Sequence, residues 1–254
     1  MSDPVLVDVH DNIAVVTLNR PSKLNAWDRP MRNEIERVLK DLNVDDTVAA
    51  IVLTGAGTTA FSAGQDLAET QGFASAEEGG EWFLSWRSFY DALRSLDKGC
   101  VAALNGVTAG SAYQFALMTD VRVAHPGVKM GQPEINSGIP SVLGPMLMMS
   151  PLGMSRTVEL TLTGRMMQAE ECYRLGLIHH LVDESNVLAK AKEVAMDLAS
   201  KPRLAFQLTK RRFKQVTQPA FDEAFEAGFV IEAEAFASGE PQGEMTRFFE
   251  KRRT

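Results

Sequence analysis

A single acid, Glu134, sits among apolar and chain-bending residues in Met130-Gly131-Gln132-Pro133-Glu134-Ile135-Asn136-Ser137-Gly138-Ile139-Pro140. A carboxylate stripped of water in such a loop would have its pKa driven upward and could take a proton near neutral pH. Two other segments offer hydrogen-bond donors. In Ala60-Phe61-Ser62-Ala63-Gly64-Gln65-Asp66-Leu67, Gly64 permits a sharp turn or a close backbone approach, so the Gln65 N–H can be aimed into a pocket, while Asp66 can cap the next turn of chain. In Asn105-Gly106-Val107-Thr108-Ala109-Gly110-Ser111-Ala112-Tyr113-Gln114, small residues open a helix whose first N–H groups and dipole favour developing negative charge, with Ser111 placed to supply a donor. Taken one at a time, each segment has a plainer reading: a solvated loop glutamate, a loop that starts a helix, and tight helix packing.

The surrounding pattern predicts the elements that must hold these segments. Val5, Val7 and Val9, the turn at Asp11-Asn12 and the run Ile13 to Leu18 predict an opening hairpin. Asp28, ahead of Pro30, predicts a helix through Leu42, followed by a buried strand from Val48 to Leu53. Trp82 to Leu96 reads as a second helix and Val101 to Leu104 as a strand; a helix from about Gly110 leads to the strand Val121 to Ala124. Each candidate segment therefore follows a strand, and the alternation implies a layered α/β core. Beyond Gly144 the chain reads as nearly all helix: Ser155 to Leu162, Ala169 to Leu175, Asn186 to Leu198, Leu204 to Phe213 and Phe221 to Phe236. The Gly-, Ala-, Ser- and Glu-rich stretch Gln71 to Gly80 is expected to be a mobile loop. The aromatic stripe Trp82, Phe83, Trp86 and Phe89 has helical spacing and reads first as core, second as the wall of a pocket.

Bulk properties narrow the field. A net charge of −7 over 254 residues argues against general electrostatic binding to nucleic acid or anionic lipid. Cys100 and Cys172 stand far apart, without the spacing of a disulfide framework or zinc ribbon. The start Met1-Ser2-Asp3-Pro4 has no basic-then-apolar signal, and no apolar run reaches membrane-spanning length, so a cytoplasmic protein is expected.

Several dispersed motifs in order are more specific than any one of them. Leu18-Asn19-Arg20-Pro21 with Leu24-Asn25-Ala26, Phe61 to Leu67, Asn105-Gly106 through Asp120, and Gly131-Gln132-Pro133-Glu134 together resemble the crotonase (enoyl-CoA hydratase/isomerase) superfamily along nearly the whole chain, as do Leu162-Thr163-Gly164-Arg165 and Gly176-Leu177-Ile178. The resemblance implies a spiral core of ββα turns over residues 1–195. A helical C-terminal region over 196–254 would take part in trimerisation, within one enzyme unit that forms a homotrimer or homohexamer. It places oxyanion-hole donors on the backbone N–H groups of Gln65 and Ser111, where a thioester enolate would gather its charge.

The family's two acidic positions fall on Gln114 and Glu134, and only the second is acidic here. An amide can orient water but cannot accept its proton near neutral pH. The resemblance therefore points first to an enoyl-CoA isomerase, with Glu134 moving a proton from C2 to C4, and second to a hydratase adding water to a 2-enoyl-CoA. A non-catalytic acyl-CoA-binding scaffold is a third possibility. Coenzyme A, as part of the substrate, is expected along Lys23, Ala26, Ala63, Gly64, Asp66 and Gly110, with Lys251 reaching CoA on a neighbouring subunit; no separate cofactor and no metal are expected. Two rivals fare worse. Gly55-Ala56-Gly57-Thr58-Thr59-Ala60 fits G-x-G-x-x-A, but the helix such a fingerprint must open is interrupted at Phe61-Ser62-Ala63-Gly64. Ala-Gly-Ser-Ala around Ser111 lacks the second glycine of a nucleophile elbow.

Overall fold

The valine-rich start pairs as expected. In the computed structural model, which describes residues 3–251, β1 (Val5–His10) lies antiparallel to β2 (Ile13–Leu18). Asp11 and Asn12 both adopt positive φ between them, the conformation a two-residue hairpin turn needs and one that Asp and Asn tolerate. Asp28 accepts the Met31 N–H at 3.1 Å and caps α1 (Arg29–Val44), with Pro30 in the first turn, where its missing N–H costs nothing.

A unit then repeats: a long buried strand, a three-residue strand, a helical segment. β3 (Ala50–Gly55) is followed by β4 (Ala60–Ser62), α2 (Ala76–Leu84) and α3 (Trp86–Arg94). β5 (Gly99–Leu104) is followed by β6 (Val107–Ala109) and α4 (Ser111–Leu117). β7 (Val121–Ala124) is followed by β8 (Lys129–Gly131), a 3-10 turn at Glu134–Ser137 and α5 (Leu143–Thr163). β9 (Met166–Gln168), α6 (Ala169–Arg174) and β10 (His180–Leu181) complete the sheets, and α7 (Val187–Ala199), α8 (Arg203–Ser238) and α9 (Glu240–Lys251) form the helical end.

The long strands build a six-stranded sheet in the order β1-β2-β3-β5-β7-β10, parallel beyond the hairpin. The short ones build a second sheet, β4-β6-β8-β9, parallel except at β9. β3 and β5 are buried on both faces, which is why they read as continuous apolar runs. Ile51, Leu53, Ala102 and Leu104 face the main core with α1, α3 and α4, whereas Ala50, Val52, Val101 and Ala103 pack with Val187, Ala191 and Ala195 of α7. The molecule is thus α/β, a core of ββα turns followed by helices, as the resemblance implied.

Several boundaries differ from expectation. The strand expected at Val48 to Leu53 runs from Ala50 to Gly55, and the helix expected over Trp82 to Leu96 is two helices meeting at Ser85. The helix expected from Ser155 begins at Leu143 and is broken at Gly153, whose φ of 72° no helix accommodates; Leu204–Phe213 and Phe221–Phe236 merge into one 36-residue helix that passes through Pro219. The stretch Gln71 to Gly80 is not simply a loop. Ser75 and Glu78 form a reciprocal capping box that starts α2, and Gly79 and Gly80 lie inside that helix.

Those glycines serve packing. A Cβ on Gly79 would lie 2.6 Å from the Phe236 ring and one on Gly80 2.7 Å from the Phe229 ring, while a Cβ on Gly228 of α8 would meet the Phe83 ring at 2.1 Å. Each helix offers glycine where the other presents phenylalanine, so α2 and α8 seat closely. Gly228→Ala is therefore expected to lower the thermal unfolding midpoint, by overpacking worth about 1–3 kcal/mol. Gly243→Ala on α9, where a Cβ meets nothing within 4 Å, should leave the midpoint unchanged or raise it. Differential scanning calorimetry of the two variants checks the pair.

Candidate active site

The three candidate segments do not follow the long strands directly, as their spacing suggested, but the short strands β4, β6 and β8, which lie side by side. Ser62 pairs with Thr108, Thr108 with Met130 and Ala109 with Gly131, all in parallel, so the residues that leave these strands emerge at one edge. Ala63, Gln65, Gly110, Ser111, Pro133 and Glu134 accordingly line a single cavity of about 450 Å³.

Glycine makes the approach possible. Gly64 has φ +85°, and a Cβ there would stand 2.5 Å from the Ala109 carbonyl oxygen and 3.2 Å from the Ser111 nitrogen. Gly64 itself lies behind the cavity wall. Trp27 bridges this segment: its backbone N–H donates to the Gly64 carbonyl at 2.9 Å, and the Asp66 N–H donates to the Trp27 carbonyl at 2.9 Å. In a parallel bridge of this kind the intervening Gln65 N–H points away from Trp27. Gly110, at φ +59°, turns the chain into α4, so Ser111 begins a helix whose first N–H groups lack helical acceptors. The Trp27 indole, fully buried edge-on to Phe89 and Phe115, donates to Ser111 Oγ at 3.0 Å and fixes that side chain.

Glu134 stands opposite Gly110, where an added Cβ would lie 3.1 Å from its Oε1. Oε1 accepts from Gln132 Nε2 at 2.6 Å and from Gln114 Nε2 at 3.2 Å, while Oε2 is buried without a partner among the described residues. Gln114 is held in turn by the Tyr90 hydroxyl, which donates to its Oε1 at 2.7 Å. Loss of water pushes the Glu134 carboxyl up to about 8, against hydrogen bonds that pull it down.

The other residues named from sequence group as follows. Lys23, Ala26, Ala63, Asp66 and Gly110 line the cavity with Gln65, Ser111, Gln114 and Glu134. Asp66 is committed to structure: it receives Arg20 Nη2 at 3.1 Å and caps the 3-10 turn at Leu67–Glu69. Arg20 also donates to the Ala26 carbonyl at 2.6 Å, and Asn25 Nδ2 to the Ala56 and Ala60 carbonyls, which ties the Leu24-Asn25-Ala26 motif to β4. The Lys251 side chain lies outside the described residues. His179 of the His179-His180 pair is occupied by Arg122, whose backbone N–H donates to its Nδ1 at 3.0 Å. Gly55-Ala56-Gly57 opens no helix, only the turn from β3 to β4.

Phe89 of the aromatic stripe is core, whereas Trp82, Phe83 and Trp86 also line the cavity, in line with the second reading of that stripe, because α2 and α3 form one of its walls. Glu232, on α8, lines the cavity too and is only 1% exposed. Burial, with the charge of Glu134 adding to it, raises its carboxyl to about 8. A signal was present in the sequence: Phe221, Phe225, Gly228, Glu232 and Phe236 fall on one helical stripe, where an acid at a buried position stands out.

A sequence profile of the family described as enoyl-CoA hydratase/isomerase matches residues 8–254. A short-chain-enoyl-CoA hydratase of Clostridium acetobutylicum is 32% identical over 250 residues, covering 98% of this chain and 95% of that protein. A crotonyl-CoA hydratase of Syntrophomonas wolfei is 30% identical over 254 residues, covering 98% of this chain and 96% of that protein. The crystal structure of an enoyl-CoA hydratase/isomerase from Mycobacterium paratuberculosis shares the fold with a TM-score of 0.88 at 24% identity, covering 97% of this chain and 99% of that one.

Both carboxyls are raised from an ordinary 4.5 to about 8, so the folded protein binds protons more tightly than the unfolded chain in that interval. Their contribution to stability is complete below about 4.5 and is lost as pH rises through about 8. Urea unfolding at a series of pH values should show wild-type stability falling across this window. Glu134→Gln and Glu232→Gln should each flatten the fall by on the order of a few kcal/mol.

Proposed function

Because the chain belongs to the enoyl-CoA hydratase/isomerase family, we propose that it enolises an acyl-CoA thioester held between the Gln65 and Ser111 N–H groups, with Glu134 as the base, and that the reaction is a double-bond shift. The observation that carries the reading is one desolvated carboxylate, Glu134, on the same cavity as two backbone segments that can donate to the thioester oxygen. Glu134 takes the C2 proton of a 3-enoyl-CoA. The electron pair of that C–H bond passes into the thioester, where two fixed donors stabilise the oxygen by several kcal/mol. Collapse of the dienolate forms the C2–C3 double bond as C4 receives the proton from Glu134, which ends the cycle as it began. The balance requires no cofactor beyond the CoA of the substrate. Lys23, Ala26, Ala63, Asp66 and Gly110 border the CoA end, and Lys251 is assigned to CoA bound by a neighbouring copy in a homotrimer or homohexamer. The exposed apolar side chains Leu204, Leu208, Phe213 and Val216 on α8 suit such an assembly.

Hydration of a 2-enoyl-CoA is the second reading, favoured by the names of the relatives that are 30–32% identical. Against it stands Gln114, hydrogen-bonded on both sides by Tyr90 and Glu134 and unable to take a proton from water.

Incubating the protein with 3-enoyl-CoA and with crotonyl-CoA in D₂O, and identifying products by NMR, separates the readings. Conversion to the 2-enoyl ester is expected, with deuterium entering C4 as Glu134 exchanges its proton with solvent and C2 through the reverse step, and Glu134→Gln should reduce the rate at least about 100-fold. Since Glu134 must be ionised to act, kcat/KM should rise with pH and level off above about 8. Rapid hydration of crotonyl-CoA with 3-enoyl-CoA untouched would establish the second reading, and CoA ester binding without any exchange would leave a scaffold.

A further inference from the structure

Glu232 has no evident purpose in an apolar acyl tunnel. It projects from α8 into a wall shared with Trp82, Phe83 and Trp86, while Ile139, Val142 and Leu143 also border the cavity. Its neighbours along the helix are pinned, Gly228 beneath the Phe83 ring and Phe236 against Gly79, so the stripe is held on its buried face. Among the described residues, Glu232 Oε2 is buried without a hydrogen-bond partner, and so are Trp82 Nε1 and Trp86 Nε1. A leucine would complete the stripe Phe221, Phe225, Gly228 and Phe236 with no polar group to satisfy. The fold therefore gives no reason for an acid at this position.

We propose that Glu232, with the indole N–H groups of Trp82 and Trp86, forms the acyl-recognition end of the cavity and selects CoA esters whose acyl chain carries a hydroxyl or oxo group beyond the enolised carbons. The inference rests on the reading of the cavity as an acyl-CoA site. Burial keeps the Glu232 carboxyl protonated near neutral pH, so it offers one O–H donor and one carbonyl acceptor. A hydroxyl can use both and an oxo group the first, while the two indoles add donors that only an acceptor such as oxygen can meet. A terminal carboxylate would face Glu134 as well as Glu232, and an ammonium would find nothing to accept from it in the indoles. An unsubstituted chain would leave all three groups unpaired, and a site built to hydrogen-bond a substrate group rejects the analogue that lacks it.

The test is calorimetric binding to the full-length protein of saturated six-carbon CoA esters, either unsubstituted or bearing a hydroxyl at C4, C5 or C6. Such esters have no double bond to shift, so the readout is separate from turnover. Wild type should bind at least one hydroxylated ester about tenfold or more tightly than the plain one. Glu232→Leu should abolish or reverse that preference, while Glu232→Gln, which keeps a donor and an acceptor, should retain most of it. Equal binding of all esters by wild type, or an equal loss for all of them in Glu232→Leu, overturns the proposal. If no ester binds, the acyl-CoA reading itself falls. If the preference holds but neither exchange nor conversion is seen with unsaturated esters, only the assigned reaction falls.

Discussion

The parallel register of three very short strands governs the rest of this site. β4, β6 and β8 contribute three residues each, too few to matter for stability by themselves, yet their alignment sets Gln65, Ser111 and Glu134 around one cavity from positions as much as 69 residues apart in the chain. The long strands of the six-stranded sheet hold this arrangement up. Each turn of the spiral passes from a long strand to a short one before its helix, so the neighbour order of β3, β5 and β7 is repeated in β4, β6 and β8. Gly64 and Gly110 then allow a backbone approach that any side chain would block.

Within that frame, two effects compete at Glu134. Amide donors from Gln114 and Gln132 favour the ionised carboxylate, whereas exclusion of water favours the protonated one, and exclusion prevails. A carboxylate beside Glu134 in place of Gln114 would add like charge. The amide instead supplies a hydrogen bond and is itself oriented by Tyr90. The neighbours of Glu134 thereby set how readily it ionises.

Glu134 was legible in the sequence as an acid enclosed by proline and glycine, and the long strands by their unbroken apolar runs. The short strands were not, because three residues carry no period from which to read a face. Gly79 and Gly80 were misleading: glycine signals a loop when read alone, but here its role is to admit Phe236 and Phe229. Glu232 left a trace as the one acid on an apolar stripe of α8, but its relation to Glu134 depends on how α2 and α8 dock, which no local pattern records. Gln114 was read at one of the family's two acidic positions, but its bonds to Tyr90 and Glu134 emerged only with the packing of α3 against α4.

The 36-residue span of α8 means that the surfaces bordering the substrate come from separate parts of the chain. One side of the cavity is bordered by loops that leave a rigid sheet, whereas another is bordered by a helix docked from outside. Substitutions along that helix can therefore reshape one wall of the cavity while the loops that carry Gln65, Ser111 and Glu134 stay untouched.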